Sequence, residues 1–121
     1  MLVEDDPDHR TIYRTMLQAS GYEVVEALEG GEAVRMATDH PPDLILMDLG
    51  VPGIDGLEAT RRLKREPRTS KVPVVALTAL VLPQTRDEAR AAGCAAYLAK
   101  PVEPRVVVEV VRRLAGPADA A

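Results

Sequence analysis

Apolar residues in this chain come in short unbroken runs, each ending in a polar or glycine-containing turn and followed by a stretch where they recur every three or four positions. The clearest run covers residues 44–47, "LILM", and ends in one carboxylate, Asp48, before a loop of glycine and proline. A run of that length between turn residues predicts a strand buried on both faces. Similar runs are "MLV" at the start, "YEVVEA" over 22–27, "VPVVALTA" over 72–79 and "AAYLA" over 95–99. Between them lie helical patterns. Asp6 before Pro7 predicts an N-cap with proline in the first turn, and Ile12, Met16 and Leu17 set the expected apolar face of that helix, which Gly21 stops. Gly30 and Gly31 open a second helix to about Thr38, with Ala33, Val34 and Ala37 inward. "GLEATRRLKRE" over 56–66 predicts a third, with Leu57, Thr60, Leu63 and Lys64 on one face, and "PQTRDEARAAG" over 83–93 a fourth that Gly93 caps.

The last segment, "RVVVEVVRRL" over 105–114, is rich in β-branched residues and alone reads as a strand. Its position reverses that reading: five strands already alternate with four helices, and Val107, Val110, Val111 and Leu114 share one helical face. The expected fold is therefore α/β, a doubly wound five-stranded parallel sheet with five helices on its two faces. Ligands of such sheets bind outside the carboxyl ends of the strands, where strand order reverses. The expected domain covers residues 1–115, and 116–121 form a short tail.

Composition narrows the partners. With 121 residues, 46% of them hydrophobic, the chain supports one domain with one core. A formal net charge of −4 gives no general attraction to nucleic acid or to an anionic membrane. No apolar stretch approaches the roughly 20 residues of a membrane span, and the first residues lack a signal-peptide pattern, so a cytoplasmic protein is expected. Cys94 is the single cysteine and reads as a small buried residue. Phe and Trp are absent, which removes stacking platforms for bases or flavins.

The strand ends gather chemistry: Glu4, Asp5 and Asp6 after the first strand, Asp48 after the third, Thr78 after the fourth and Lys100 after the fifth. Converging carboxylates either raise a pKa or call in a cation. An oxygen-only ligand set with a phosphate partner describes Mg²⁺ better than zinc. With the ion and Lys100 neutralising phosphoryl oxygens, an in-line carboxylate can attack phosphorus to give an aspartyl phosphate, and Thr78 supplies a hydroxyl donor.

Four segments in this order, "VEDD", "LILMDLGVPGIDG", "VVALTA" and "AAYLAKP", resemble the receiver domain of two-component response regulators, and the likeness runs over nearly the whole chain. The resemblance implies the flavodoxin-like strand order 2-1-3-4-5 and a phosphorylation-dependent signalling switch. It implies Asp48 as phosphoacceptor, and Asp5, Asp48 and the Gly50 carbonyl as direct Mg²⁺ ligands, with Glu4 acting through water. Thr78, Lys100 and the Ala79 N–H would contact the phosphoryl group. Tyr97 would be the aromatic that turns inward in the active form, and Lys100-Pro101 would be a cis peptide. The implied donor is a histidine kinase or a histidine phosphotransfer protein. The implied output is a changed face of the fourth helix, fifth strand and fifth helix, including Val81, Leu82 and Pro83. That face would meet a downstream protein target rather than DNA, and a weak homodimer is allowed for. Enzyme activity is expected only as self-phosphorylation and self-dephosphorylation.

Plainer readings apply to other residues. Asp6 and Asp55 read as helix caps, His9 and His40 as exposed, and Gly53 and Gly56 as positions that permit positive φ. A haloacid-dehalogenase-like phosphatase would carry a second acid where Gly50 stands and a cap domain besides. A flavin carrier would need a Ser/Thr-rich phosphate loop and flanking aromatics. A receiver-like module that is never phosphorylated usually lacks an acid, the threonine or the lysine, and this chain keeps all of them. A receiver belonging to a hybrid histidine kinase is the remaining alternative. The first strand, beginning almost at Met1, is expected to be short and weakly paired at its edge. Gly50 and Leu80, two residues past Asp48 and Thr78, are expected to influence phosphate lifetime.

Overall fold

The computed structural model describes residues 1–79 and 82–118. Strands and helices alternate: β1 (Leu2–Val3), α1 (Pro7–Ala19), β2 (Glu26–Ala27), α2 (Gly30–Asp39), β3 (Ile45–Asp48), α3 (Gly56–Arg65), β4 (Val74–Thr78), α4 (Pro83–Ala92), β5 (Ala96–Ala99) and α5 (Pro104–Ala115). All pairings are parallel, in the order β2-β1-β3-β4-β5. Because side chains alternate across a strand, each strand feeds two cores. Val3, Ile45, Met47, Val74 and Ala76 pack with Ala33, Ala37, Ala59, Leu63 and Ala89 of α2, α3 and α4. Leu2, Leu46, Val75 and Leu77 pack with Tyr13 and Leu17 of α1 and Val107, Val108, Val110 and Val111 of α5. The valine-rich final segment is thus a helix, held in place by the sheet face it covers.

Caps fix where the helices begin. The Asp6 carboxylate accepts from the Asp8 and His9 N–H groups at 2.9 and 3.1 Å, and Asp55 accepts from Glu58 N–H at 2.9 Å. Gly93 ends α4 at φ 109°, a conformation that favours glycine.

Three sequence expectations change. The buried stripe of α1 is Tyr13 and Leu17, whereas Ile12 and Met16 stay 48% and 37% exposed. The helix is turned so that the tyrosine ring, which sequence patterning leaves out of the apolar set, reaches the core. The second strand is two residues long instead of six, since β1 offers only Leu2 and Val3 to pair with. Gly56 does not have positive φ. Its requirement is room, because a Cβ there would lie 2.7 Å from the Asp48 carbonyl oxygen and from Leu49 Cα. Gly53 does take positive φ, at 77°.

Candidate functional site

Register brings the site together. Val3 pairs with Met47, so Glu4 and Asp48 leave adjacent strands side by side. Asp48 pairs with Leu77 and Thr78 with Ala99, which puts Thr78 and Lys100 one step further along the same edge. The Lys100 N–H donates to the Thr78 carbonyl at 2.7 Å, and Lys100-Pro101 is cis. Lys100 Nζ donates to Glu4 Oε1 at 2.7 Å and to Asp48 Oδ2 at 2.9 Å. One ammonium therefore ties the first and third strands to the fifth.

The acids divide the work. Glu4 is fully buried, and its other oxygen, Oε2, accepts from Asp6 N–H at 3.2 Å. Asp48 is 8% exposed, and its Oδ1 accepts from Gly50 N–H at 2.9 Å. Asp5 is exposed, and among the described residues its carboxylate takes no hydrogen bond. Burial holds the Glu4 carboxyl above the usual carboxylate range, and the neighbouring Asp48 adds to the rise. Asp48 is also pushed up by burial, but hydrogen bonds to Glu4, Lys100 and Gly50 N–H outweigh that and bring it below its ordinary value. Burial likewise pulls Lys100 down, and its bonds to Glu4 and Asp48 overcome the loss, so it stays charged well above neutral pH.

One oxygen from each of Glu4, Asp5 and Asp48 lies within 4.8 Å of the others. Three hard oxygen donors at that spacing fit Mg²⁺, which keeps several of its waters and takes one or two carboxylates directly. The donor set suits the ion on chemistry alone. Glu4 and Asp48 each have both oxygens engaged, whereas the exposed Asp5 carboxylate takes no hydrogen bond among the described residues and is the acid most open to an incoming ion.

Other expected residues fall around this centre. Thr78 is buried and Ala79 exposed at the end of β4. Gly50 lies exposed in the loop after β3 between buried Leu49 and Val51. Tyr97 is half-buried in β5, packed against the core on the α4 side, with the Arg86 guanidinium 5.5 Å from its ring centroid. Leu82, 44% exposed, precedes α4, which Pro83 opens; Leu80 and Val81 lie outside the described residues.

Two neighbours of the site escaped sequence reasoning. Arg10 Nη1 donates to the Glu4 and Asp5 carbonyls at 3.3 and 3.4 Å while its Nε meets Glu26 at 3.2 Å. Its position four residues after the Asp6 cap, one turn into α1, was the available signal. His9 is exposed as expected, yet its Nδ1 stands 3.9 Å from Glu4 Oε1.

The profile of the response regulator receiver domain family matches residues 1–112. The polar-differentiation response regulator DivK of Brucella ovis is 37% identical over 118 residues, 98% of this chain and 96% of its own length. The receiver domain of the sensor histidine kinase PA1611 from Pseudomonas aeruginosa, solved with a magnesium ion coordinated in its active-site cleft, superposes with a TM-score of 0.88. It is 38% identical, with 95% of this chain and 94% of that one covered. The chemotaxis protein CheY4 of Vibrio cholerae superposes with a TM-score of 0.87 at 28% identity, over 93% of this chain and 94% of its own. With acids and lysine converging at the switch point of a 2-1-3-4-5 parallel sheet, this chain belongs to the response regulator receiver domain family of two-component systems.

Proposed function

We propose that the chain is a phosphorylation-dependent switch in which Asp48 accepts a phosphoryl group from a histidine kinase or a histidine phosphotransfer protein. The observation that supports this most directly is the Lys100 ammonium shared between Glu4 Oε1 and Asp48 Oδ2, beside the exposed carboxylate of Asp5. Mg²⁺ would be held by Asp5, Asp48 and the Gly50 carbonyl, with Glu4 acting through water, and would supply positive charge for the phosphoryl oxygens. Asp48 attacks phosphorus as the bond to the donor's imidazole nitrogen breaks, and the imidazole keeps the electron pair. Lys100, Thr78 and the Ala79 N–H receive the phosphoryl oxygens.

The added charge draws Thr78 inward, and Tyr97 fills the space beside it. The surface of α4, β5 and α5 is thereby shifted toward a second, pre-existing arrangement that a downstream protein reads. Leu82, exposed at the mouth of α4, belongs to that surface. Chemistry is confined to the chain's own phosphorylation and dephosphorylation. No helix among the described residues is long and apolar enough to cross a membrane, which accords with a cytoplasmic partner of a kinase.

Acetyl phosphate with Mg²⁺, followed by intact mass measurement, tests this reading. One phosphoryl adduct is expected on the native chain and none on Asp48→Asn or without Mg²⁺. A native chain that folds, takes no adduct and also fails to bind beryllofluoride would overturn it in favour of a module that works without phosphorylation.

A further inference from the structure

Asp5 is the most open acid of the site and the least held. Glu4 is tied through its backbone and its side chain: its N–H donates to the Ala27 carbonyl at 3.1 Å, and both its carboxylate oxygens accept hydrogen bonds. Asp48 sits in the β3 ladder, with Lys100 on one oxygen and the Gly50 N–H on the other. For Asp5, among the described residues, one hydrogen bond serves: its carbonyl accepts from Arg10 Nη1 at 3.4 Å. The same nitrogen donates to the Glu4 carbonyl at 3.3 Å. A carboxylate on an exposed loop moves with its backbone, so whatever fixes that carbonyl limits where the carboxylate can point.

Arg10 is itself anchored. Its Nε meets Glu26 Oε2 at 3.2 Å, and Arg14, one helical turn on, donates from Nη1 to Glu26 Oε1 at 2.7 Å, so each oxygen of one carboxylate takes a different arginine. Arg10 and Glu26 are 21% and 24% exposed, which holds the pair more firmly than one in open solvent. Glu26 belongs to β2 and pairs with Leu2, so the contacts run from the edge strand through one guanidinium to the acid loop. A guanidinium suits this task because separate nitrogens face the carboxylate and the carbonyls, whereas a lysine has one nitrogen for all three.

Charge alone would make Arg10 a hindrance. A cation beside three carboxylates repels an incoming Mg²⁺, and the hydrogen bonds of Arg10 among the described residues go to Glu26 and to carbonyls, none to those carboxylates. Its benefit to the site is therefore one of position. We propose that Arg10 is a positioning residue for the metal: anchored on Glu26, it holds the Glu4 and Asp5 carbonyls and so sets the Asp5 carboxylate toward the ion. This rests on the reading of Glu4, Asp5 and Asp48 as a Mg²⁺ centre.

Calorimetric titration of Mg²⁺ into the full chain and into Arg10→Gln, Arg10→Lys and Arg14→Gln tests the proposal, since position and charge predict opposite signs. Arg10→Gln should weaken Mg²⁺ binding about tenfold although it removes a positive charge. Arg10→Lys keeps the charge but loses the fork, and should weaken binding about threefold. Arg14→Gln takes the same charge from Glu26 without touching the carbonyls, and should stay within about twofold of native. In the metal-free proteins, the order parameter of the Asp5 amide should fall from about 0.85 toward about 0.6 in Arg10→Gln and hold in Arg14→Gln, a change that a mere loss of stability would not produce. Mg²⁺ binding by Arg10→Gln as tight as native or tighter would overturn the proposal and leave the metal reading standing, as would an equal weakening by Arg14→Gln. Should Arg10→Gln not fold, Arg10→Lys decides, and native affinity there would overturn the proposal. A native chain that binds no Mg²⁺ would overturn the metal reading and this inference together.

Discussion

The two ends of this sheet are built to different tolerances. At the carboxyl ends, four strands deliver the site's side chains at close quarters: one lysine answers two acids, an amide answers the other oxygen of Asp48, and glycines let loops pass within contact distance. At the amino ends, the Met1 ammonium beside β3 donates to the Leu44 carbonyl, and among the described residues the Val25 N–H and the Glu23 carbonyl have no hydrogen-bond partner. The first end is determined by backbone spacing, so an added atom should do harm. The second holds a buried charge, so removing that charge should help. Crowding and incompleteness coexist because the sheet fixes position along a strand independently at each end.

The largest effect should come from crowding the site's supporting loops. A Cβ on Gly30 would lie 2.0 Å from the Ile54 carbonyl oxygen, in the loop that joins β3 to α3, whereas one on Gly31 meets nothing within 4 Å. Gly30→Ala should cost roughly 3 kcal/mol or more in urea unfolding, and Gly31→Ala should be neutral or stabilise by up to about 1 kcal/mol. Equal outcomes for the two neighbours would remove the contrast between tight and loose positions.

Next in size is pH dependence at the other end. The folded amine of Met1 releases its proton near 6 and the unfolded one near 8.0, so between those values the unfolded chain binds more protons. Stability should rise by about 2–3 kcal/mol from pH 6 to pH 8 on this account. The cost is fully present below about pH 6. In the N-acetylated chain this part of the slope should vanish, and its persistence would place the effect elsewhere.

The smallest effect probes the site's own compromise. Burial and the adjacent Asp48 disfavour ionised Glu4, so its charge subtracts stability once pH exceeds its raised pKa. Glu4→Gln removes the charge but offers one oxygen where Glu4 uses two, so it keeps the bond from Lys100 and loses the one from Asp6 N–H. The relief and the loss oppose each other, so the metal-free protein at pH 8 should change by no more than about 1 kcal/mol, while calorimetric titration shows weaker Mg²⁺ binding. A much larger loss would mean that the charge itself, rather than the oxygen, holds Lys100.

Much of this is legible in the sequence. Runs buried on both faces announce strand ends, and strand ends announced Glu4, Asp48, Thr78 and Lys100 as neighbours. The helical reading of α5 came from its place in the alternation and not from its valines. What escaped depends on partners distant in sequence. The length of β2 is set by β1, and the facing of α1 is set by a core that accepts Tyr13 and leaves Ile12 outside. Sequence could bring Lys100 to the acids' edge, but only the fold shows it bridging Glu4 and Asp48. The role of Arg10 rests on two carbonyls that no side-chain pattern encodes.

The absence of Trp and Phe has a consequence for anyone wishing to watch this protein work. Its near-ultraviolet spectrum comes from three tyrosines, and they stand at three levels of the molecule. Tyr13 lies in the core with its ring 6.4 Å from that of His9, Tyr97 lies under Arg86 on β5, and Tyr22, ahead of β2, donates its hydroxyl to the Gly116 carbonyl at 2.7 Å. Replacing them one at a time with phenylalanine would turn an unlabelled chain into an optical gauge of site, signalling face and base, each read separately.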